Sequence, residues 1–543
     1  MSKIVECVPN FSEGRDLSKI EAIKSVIKAV SGAFLLDVDP GAATNRTVVT
    51  IVGEPEAVAE AAFLAVKKAS ESIDMRGHTG AHPRMGATDV CPFIPVAGMT
   101  MEETVALSRK LAERIGKELK IPVYLYEYSA SCEERRSLAN IREGEYEGMG
   151  EKMKDPKWKP DFGPAEFNPV TGATAVGARE FLIAYNLNLN SKNVKLADKI
   201  AKEIREKGTK DKPGLLKAVR AVGWYIDEYE RAQISVNLIN YKVTPLWKLF
   251  DTACSVAEKY GIRITGSELV GLIPLGALKE AGEYYLKKQG EFTAMPEREV
   301  LKIAVKSLGL GELYPFDLNE KVIEYKISKK GILTSMSLAA FADELSSSSP
   351  APGGGSVAAL AGSLAAALVS MVASLTFGKK GYEEHFSSVE ELAIKAQALK
   401  ADLMKIVDTD TELFNEFMAA RRLPKGSEEE KKARDAKILS CAVNITRSPL
   451  ELLRKLQEVL PLTEKIAGIG NANSISDAAV AASMLKAAAE GALLNVLINL
   501  PSLEDAAMKD SFKKESEAAC AEIQKGCDGV FSAVSGKLKR EAK

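Results

Sequence analysis

Two ferredoxin-like α+β sandwich subdomains followed by an all-helical bundle domain are what the amino-acid sequence predicts: a multidomain chain, α/β then all-α. Three observations predict it. Strand and helix signals alternate through residues 1–326. A short polar stretch containing Gly331 then breaks the pattern. Beyond it, alanine- and leucine-rich segments of helical period run almost to the end. With 543 residues, the chain is also too long for one ordinary core.

Residues 3–8 predict a strand and 17–30 an amphipathic helix. The runs 34–38 and 47–52 are short, β-branched or apolar, and bounded by Pro, Gly and Asn, so they predict strands. A helix over 56–73 starts just after Pro55. A strand over 89–95, a helix over 102–119 and a strand over 123–126 follow. Residues 155–177 are rich in Pro and Gly and predict a long irregular segment of functional or linker character. A second series begins with a strand over 181–189 and a helix over 194–207. Strands over 218–226 and 232–240 and helices over 245–260 and 275–287 continue it, on a similar plan. The helical part predicts helices over 337–345, 356–376, 387–420, 427–449, 451–469, 474–500 and 503–538. The implied division is 1–181 and 182–326 for the α/β subdomains, 327–335 for a linker and 336–543 for the helical domain.

Composition narrows the function. A hydrophobic content of 46% with 27% charged residues is that of a folded globular protein. With 73 basic and 74 acidic residues there is no global field to attract nucleic acid or an anionic membrane. No uninterrupted run of about 18 apolar residues occurs, so no transmembrane segment is expected. The N-terminus carries charge where a signal peptide would be apolar. Seven scattered cysteines without a Cys-x-x-Cys pair predict neither structural zinc nor a disulfide framework. Together these predict a cytoplasmic protein that needs no metal and has no nucleic-acid partner. The alanine-rich helices are expected to leave apolar surface for homo-oligomerisation.

The chain holds three histidines, His78, His82 and His385, so any imidazole chemistry must draw on them. Two of the three fall in the run Met75-Arg76-Gly77-His78-Thr79-Gly80-Ala81-His82-Pro83-Arg84-Met85-Gly86-Ala87-Thr88-Asp89. Glycines there let backbone approach a ligand, and histidine exchanges protons near neutral pH. Gly77, Gly80 and Pro83 oppose a helix that would align His78 and His82 on a metal, and no third ligand is evident. The plainer alternative is a Gly-rich connection with incidental histidines. A second cluster comprises Val8-Pro9-Asn10-Phe11-Ser12-Glu13-Gly14, Asp37-Val38-Asp39 and Thr44-Asn45-Arg46-Thr47. Asn10 and Ser12 read either as caps of the helix near Leu17 or as polar lining of a cleft shared with the His82 loop. His385 lies in a charged stretch and is assigned no role.

In the helical part, Pro352-Gly353-Gly354-Gly355-Ser356 precedes an alanine-rich helix. It reads either as a site for an anionic or polar ligand or as a capped entry turn. Asp408 and Asp410 lie two apart on a predicted helix, so one can face a cleft and the other solvent.

These strings closely resemble the formimidoyltransferase-cyclodeaminase family. The resemblance covers 5–14, 37–39, 44–47, 82–86, 89–95, Pro122-Val123-Tyr124-Leu125-Tyr126, Asp161-Phe162-Gly163-Pro164, Gly172-Ala173-Thr174 and Gly223-Trp224-Tyr225. It resumes at Pro352-Gly353-Gly354-Gly355-Ser356-Val357-Ala358-Ala359 and ends near Asn495-Val496-Leu497-Ile498-Asn499-Leu500. It implies that the first half moves a formimino group from N-formimino-L-glutamate to tetrahydrofolate. The helical half would then form 5,10-methenyltetrahydrofolate with loss of ammonia, in histidine degradation. His82 is implied as the general acid/base of transfer and Asp410 as the catalytic acid of cyclisation. Gly163, Pro164, Ala165, Glu166, Phe167, Asn168, Pro169, Val170, Thr171, Gly172 and Ala436 are implied as folate-binding. Tetrahydrofolate, as its polyglutamate, is implied as co-substrate, and the assembly as a large homo-oligomer. Asn10, Arg46 and Arg84 are candidates for substrate binding, the arginines because paired hydrogen bonds suit carboxylates. Lys379, Lys380, Lys425, Lys431 and Lys432 read as solvated surface or as attraction for a polyglutamate tail. The alternatives are a formylglutamate-using transferase fused to a methenyltetrahydrofolate cyclohydrolase, loss of one activity, or a non-catalytic folate-binding scaffold.

Overall fold

A computed structural model describes residues 3–42, 45–80, 83–327 and 331–541. The chain forms two compact units: residues 1–281 with 304–328, and residues 282–303 with 329–543.

The first unit opens with β1 (Ile4–Cys7), β2 (Asn10–Phe11), α1 (Leu17–Lys28), β3 (Ala33–Gly41), β4 (Arg46–Gly53), α2 (Pro55–Ser72) and β5 (Thr88–Ala97). Next come α3 (Met101–Arg114), β6 (Val123–Glu127), two short helices, α4 (Leu138–Arg142) and α5 (Glu145–Lys152), and β7 (Thr174–Ala178). β1 and β2 are two pieces of one line, both paired antiparallel with β4 on one side and β5 on the other. With β3 outside β4, the order β3-β4-β1/β2-β5 is that of a ferredoxin-like sheet. β7 and β6 extend it, running parallel to β5. Period-two patterning sets the layers. Val5, Phe11, Val49, Ile51, Cys91 and Phe93 pack with Ile23, Val58 and Leu111 of the covering helices. Val90, Tyr124 and Tyr126 form a separate cluster with Ile141, Met149 and Met153.

The second sheet belongs to β8 (Ile183–Leu189), α6 (Val194–Ile204), β9 (Val219–Ile226), β10 (Arg231–Leu238), α7 (Leu246–Lys259) and β11 (Ile264–Val270). Its antiparallel order β11-β8-β10-β9 repeats the ferredoxin-like plan. The sequence reading omitted β7 and β11. β7 is mostly small residues, and β11 carries Gly266, Ser267 and Glu268, so neither shows an apolar alternation. Their pairings, not their propensity, make them strands.

The remaining helices are α8 (Leu275–Gln289), α9 (Glu297–Ser307, also unpredicted), the short α10 (Leu318–Lys321) and α11 (Ile323–Ile327), and α12 (Leu338–Leu345). The main helices of the second unit are α13 (Gly354–Thr376), α14 (Phe386–Arg421), α15 (Glu428–Ile469), α16 (Ile475–Asn499) and α17 (Ala506–Glu541). α13 packs on α14, α15 and α16, burying Ala358, Ala359, Ala365 and Ala366, whose small side chains permit close approach. The reading of separate helices over 427–449 and 451–469 is corrected: α15 runs unbroken through Pro449 and Pro461. Proline at 449 frees the carbonyl of Ile445 four residues back. Asn499 Nδ2 of α16 donates to that oxygen at 2.9 Å, and Pro449 and Leu450 are buried, so tertiary contacts hold the helix together.

Two helices among the described residues, 354–376 and 472–502, meet the length and composition of a membrane span, which core helices of folded proteins also meet and which leaves the expectation of no transmembrane segment standing. Ser and Gly interrupt the apolar residues of α13 and hide it from a count of consecutive ones. In the apolar window of residues 354–376, 67% is buried inside the protein, and in that of residues 472–502, 39%.

Candidate active sites

The N-terminal ends of β4, β5, β7 and β6 and the C-terminal end of β2 lie at one edge of the first sheet, as their pairing directions require. That edge collects the candidate residues. Ser12 N–H donates to Ala87 O at 2.9 Å, and its hydroxyl donates to Gly86 O at 2.7 Å. Asp16, not Asn10 or Ser12, caps α1 by accepting from Ser18 N and Lys19 N. The capping alternative therefore falls, and Asn10 instead accepts from Arg46 Nε at 3.0 Å. Asn45 accepts from Gly14 N and donates to Thr79 O, tying the 78–80 turn to the end of β2.

His82 and its neighbour Ala81 lie outside the described residues. His78 is described, and both its nitrogens are used. Nδ1 accepts from Arg84 Nε at 3.2 Å, so Nε2–H donates to Asn45 O at 2.9 Å. Arg84 is held by Glu147 (2.6 and 2.9 Å) and Glu145 (3.1 Å) beside the Tyr146 ring. Arg84, both glutamates, His78, Thr79, Gly80 and Gly144 line a cleft of about 530 Å³. Arg46 takes the opposite arrangement. Its Nη1 pairs at 2.5 Å with Asp89, a wholly buried carboxylate that also accepts from Arg142 at 2.5 Å and from Met85 N at 3.1 Å. Sequence reasoning quoted Asp89 only as part of a motif and passed over Arg142, Glu145 and Glu147. They come from a charged run with no periodic signal, 53 to 63 residues beyond their partners.

The 163–172 stretch divides. Gly163 and Pro164 line a separate cleft of about 410 Å³ with Gly116, Lys117, Lys120 and Phe162. Ala165 and Glu166 are exposed, and Phe167 packs 5.3 Å from the Tyr146 ring. Asn168 closes an Asx turn by accepting from Val170 N and Thr171 N. Val170, Thr171 and Gly172 then run beside the loop that leads into β5. Val170 O accepts from Met75 N and Thr171 O from Ala87 N, while Gly172 adopts φ +65° against Met85. A side chain at 172 would collide with the Met85 carbonyl as well as strain the backbone.

In the helical unit, Asp410 of α14 faces the first turn of α13. A Cβ at Gly355 would strike its carboxylate, so a larger residue there would force the Asp410 side chain to shift. Ser356 Oγ donates to Val407 O at 2.8 Å and lies 3.4 Å from Asp410 Oδ2. Burial pushes the Asp410 carboxyl up, and the Ser356 hydroxyl and amide oppose that only in part. Asn495 of α16 is also at this turn, its amide facing Gly354. Asp408 is structural: it accepts from Leu333 N at 2.7 Å and Thr334 Oγ1 at 2.6 Å. Ala436 is exposed near the start of α15. His385 lies 3.7 Å from Glu384.

Three family models match successive parts of the chain. The family described as formiminotransferase domain, N-terminal subdomain, matches residues 4–179. The formiminotransferase domain matches 184–328, and formiminotransferase-cyclodeaminase matches 337–518. The formimidoyltransferase-cyclodeaminase of Rattus norvegicus is 44% identical over 543 residues, 99% of each chain. The glutamate formimidoyltransferase of Streptococcus pyogenes serotype M1 is 46% identical over 53% of this chain and 94% of its own. The methenyltetrahydrofolate cyclohydrolase of Methylorubrum extorquens is 40% identical over 36% of this chain and 95% of its own. The chain belongs to the formimidoyltransferase-cyclodeaminase family.

Proposed function

We propose that this bifunctional enzyme works on one folate-borne carbon in two consecutive steps of histidine degradation, with His82 and Asp410 as its proton carriers. The first half transfers the formimino group of N-formimino-L-glutamate to tetrahydrofolate. The helical half cyclises 5-formiminotetrahydrofolate to 5,10-methenyltetrahydrofolate and releases ammonia. Full-length similarity to bifunctional relatives supports both activities. The observation that carries the site assignment is Asp410, a carboxyl held above its ordinary range by burial against the α13 entry turn.

In transfer, a folate nitrogen attacks the amidine carbon of the donor. His82 takes the proton that this nitrogen loses and returns it to the departing glutamate nitrogen. In cyclisation, the second folate nitrogen attacks the same carbon. Asp410, protonated, gives its proton to the amino group that leaves as ammonia. The 163–172 stretch and Ala436 are the proposed folate contacts. A polyglutamate tail is the proposed form of the co-substrate, no metal takes part, and the cytoplasm is the proposed location. Of the candidate tail-binding lysines, Lys379 is tied to Asn471 and Lys431 to Glu428. Lys380, Lys425 and Lys432 are exposed and available for a tail. A homo-oligomer is proposed because Leu364, Met371 and Leu375 of α13 and Leu494 and Ile498 of α16 are exposed.

Similarity of the helical half to a cyclohydrolase favours one alternative, in which the same acid assists hydrolysis of the methenyl ring. Measuring glutamate release and methenyl absorbance separately, with formimino and formyl donors, distinguishes the readings. His82→Ala is expected to remove glutamate release while supplied 5-formiminotetrahydrofolate is still cyclised. Near-normal transfer in that variant would overturn the role given to His82.

A further inference from the structure

The N-formimino-L-glutamate donor carries two carboxylates, and the sheet edge offers guanidinium groups in two settings. At Arg84, two carboxylates, Glu145 and Glu147, stand against one guanidinium and occupy its fork. At Asp89 the ratio is reversed, with one carboxylate against Arg46 and Arg142. Asp89 is fully buried, and the two arginine side chains are 11% and 17% exposed. Cations this far from water favour an additional anion.

Arg142 is positioned for that anion. It ends α4, where Lys152 Nζ donates to Ile141 O at 3.1 Å and to Glu143 O, just past the helix, at 3.0 Å. Asp89 engages its Nε and Nη2 edge, leaving Nη1 without a partner among the described residues. One edge of a planar fork is thus anchored and the other can take a second carboxylate. Gly144, two residues on, lines the 530 Å³ cleft.

We infer that Arg142 binds a carboxylate of the glutamate-type donor and that Asp89 is a positioning residue, aligning Arg142 with Arg46 across the sheet edge. Arg84 braces the α5 entry and His78 and does not hold substrate. The inference rests on the transferase reading above.

The test is Arg142→Met, with Arg142→Lys as the conservative partner and Asp89→Asn as the positioning variant. Arg142→Met is expected to raise KM for N-formimino-L-glutamate about 10- to 100-fold, the loss of a charge-assisted contact. KM for tetrahydrofolate, and cyclisation of supplied 5-formiminotetrahydrofolate, should stay near wild type. Arg142→Lys should recover part of the loss, and Asp89→Asn should show the same split. Preference for the acid donor over its γ-amide, N-formimino-L-glutamine, should shrink in Arg142→Met. Calorimetric binding of L-glutamate to wild type and its weakening in Arg142→Met give a readout independent of turnover. Wild-type protein that binds L-glutamate but transfers no formimino group would refute the transferase reading alone. Unchanged donor KM, donor preference and glutamate affinity in Arg142→Met would refute the present inference.

Discussion

The edge of the first sheet and the α13–α14 contact handle buried carboxylates in opposite ways. Asp89 sits between two guanidinium groups and a backbone N–H. Asp410 faces a glycine and a serine, and no cation is among the causes of its shift. The first setting organises arginines, while the second raises the pKa of an acid. Asp89, fully buried, and Asp410, partly buried, thus suit different chemistry because one has ionic partners and the other mainly a desolvated wall.

The largest expected effect comes from removing the acid. Asp410→Asn should lower cyclodeamination by about 10²- to 10⁴-fold, followed by methenyl absorbance, with formimino transfer unchanged. Loss of both activities together would contradict separate sites. In wild type the raised pKa gives cyclodeamination that is lost as pH rises through it, because the working form is protonated.

Glu6 sharpens the comparison, since it lies in the first unit yet behaves like Asp410. Burial on β1 pushes it up to about 7, against the pull of Arg179. Its folded pKa exceeds the ordinary 4.5, so its stabilising contribution is complete below pH 4.5 and is lost as pH rises towards 7. Glu6→Gln should abolish a pH-dependent stability term of roughly 3 kcal/mol across that window. Thermal melts at pH 5 and pH 8 measure it, and an unchanged slope would count against burial as the cause.

Gly355→Ala tests the crowding at Asp410. The new methyl group meets the carboxylate, and a cost of about 1–3 kcal/mol with reduced cyclodeamination is expected. Transfer should be spared. The smallest effect belongs to Asn499→Ala, which strips Ile445 O of its partner beside Pro449. About 1–2 kcal/mol should be lost from the helical unit. A melt indistinguishable from wild type would show that the proline break needs no outside donor.

Much of this was legible in the sequence where a residue's neighbours along the chain decide the outcome. Most strands and helices of the two ferredoxin-like sheets followed from periodicity, and α2 began where Pro55 said it would. The Pro-Gly-rich segment proved to be the irregular stretch that carries residues 163–172. β7 and β11 were invisible because they are strands only by virtue of the strands beside them. Pro449 predicted a break because nothing near it in sequence announces Asn499. Asp408 and Asp410 were indistinguishable by type and spacing. Packing separates them, sending one to the 331–334 turn and the other to α13.

Local composition and periodicity by themselves determined most of the element order, the change from mixed to helical architecture, and the residue types available for proton transfer and carboxylate binding. Only the tertiary structure decided which arginine faces two glutamates and which shares one aspartate, and which aspartate loses its water. Charge pairing and desolvation depend on distances across the fold, and residues remote in sequence set those distances.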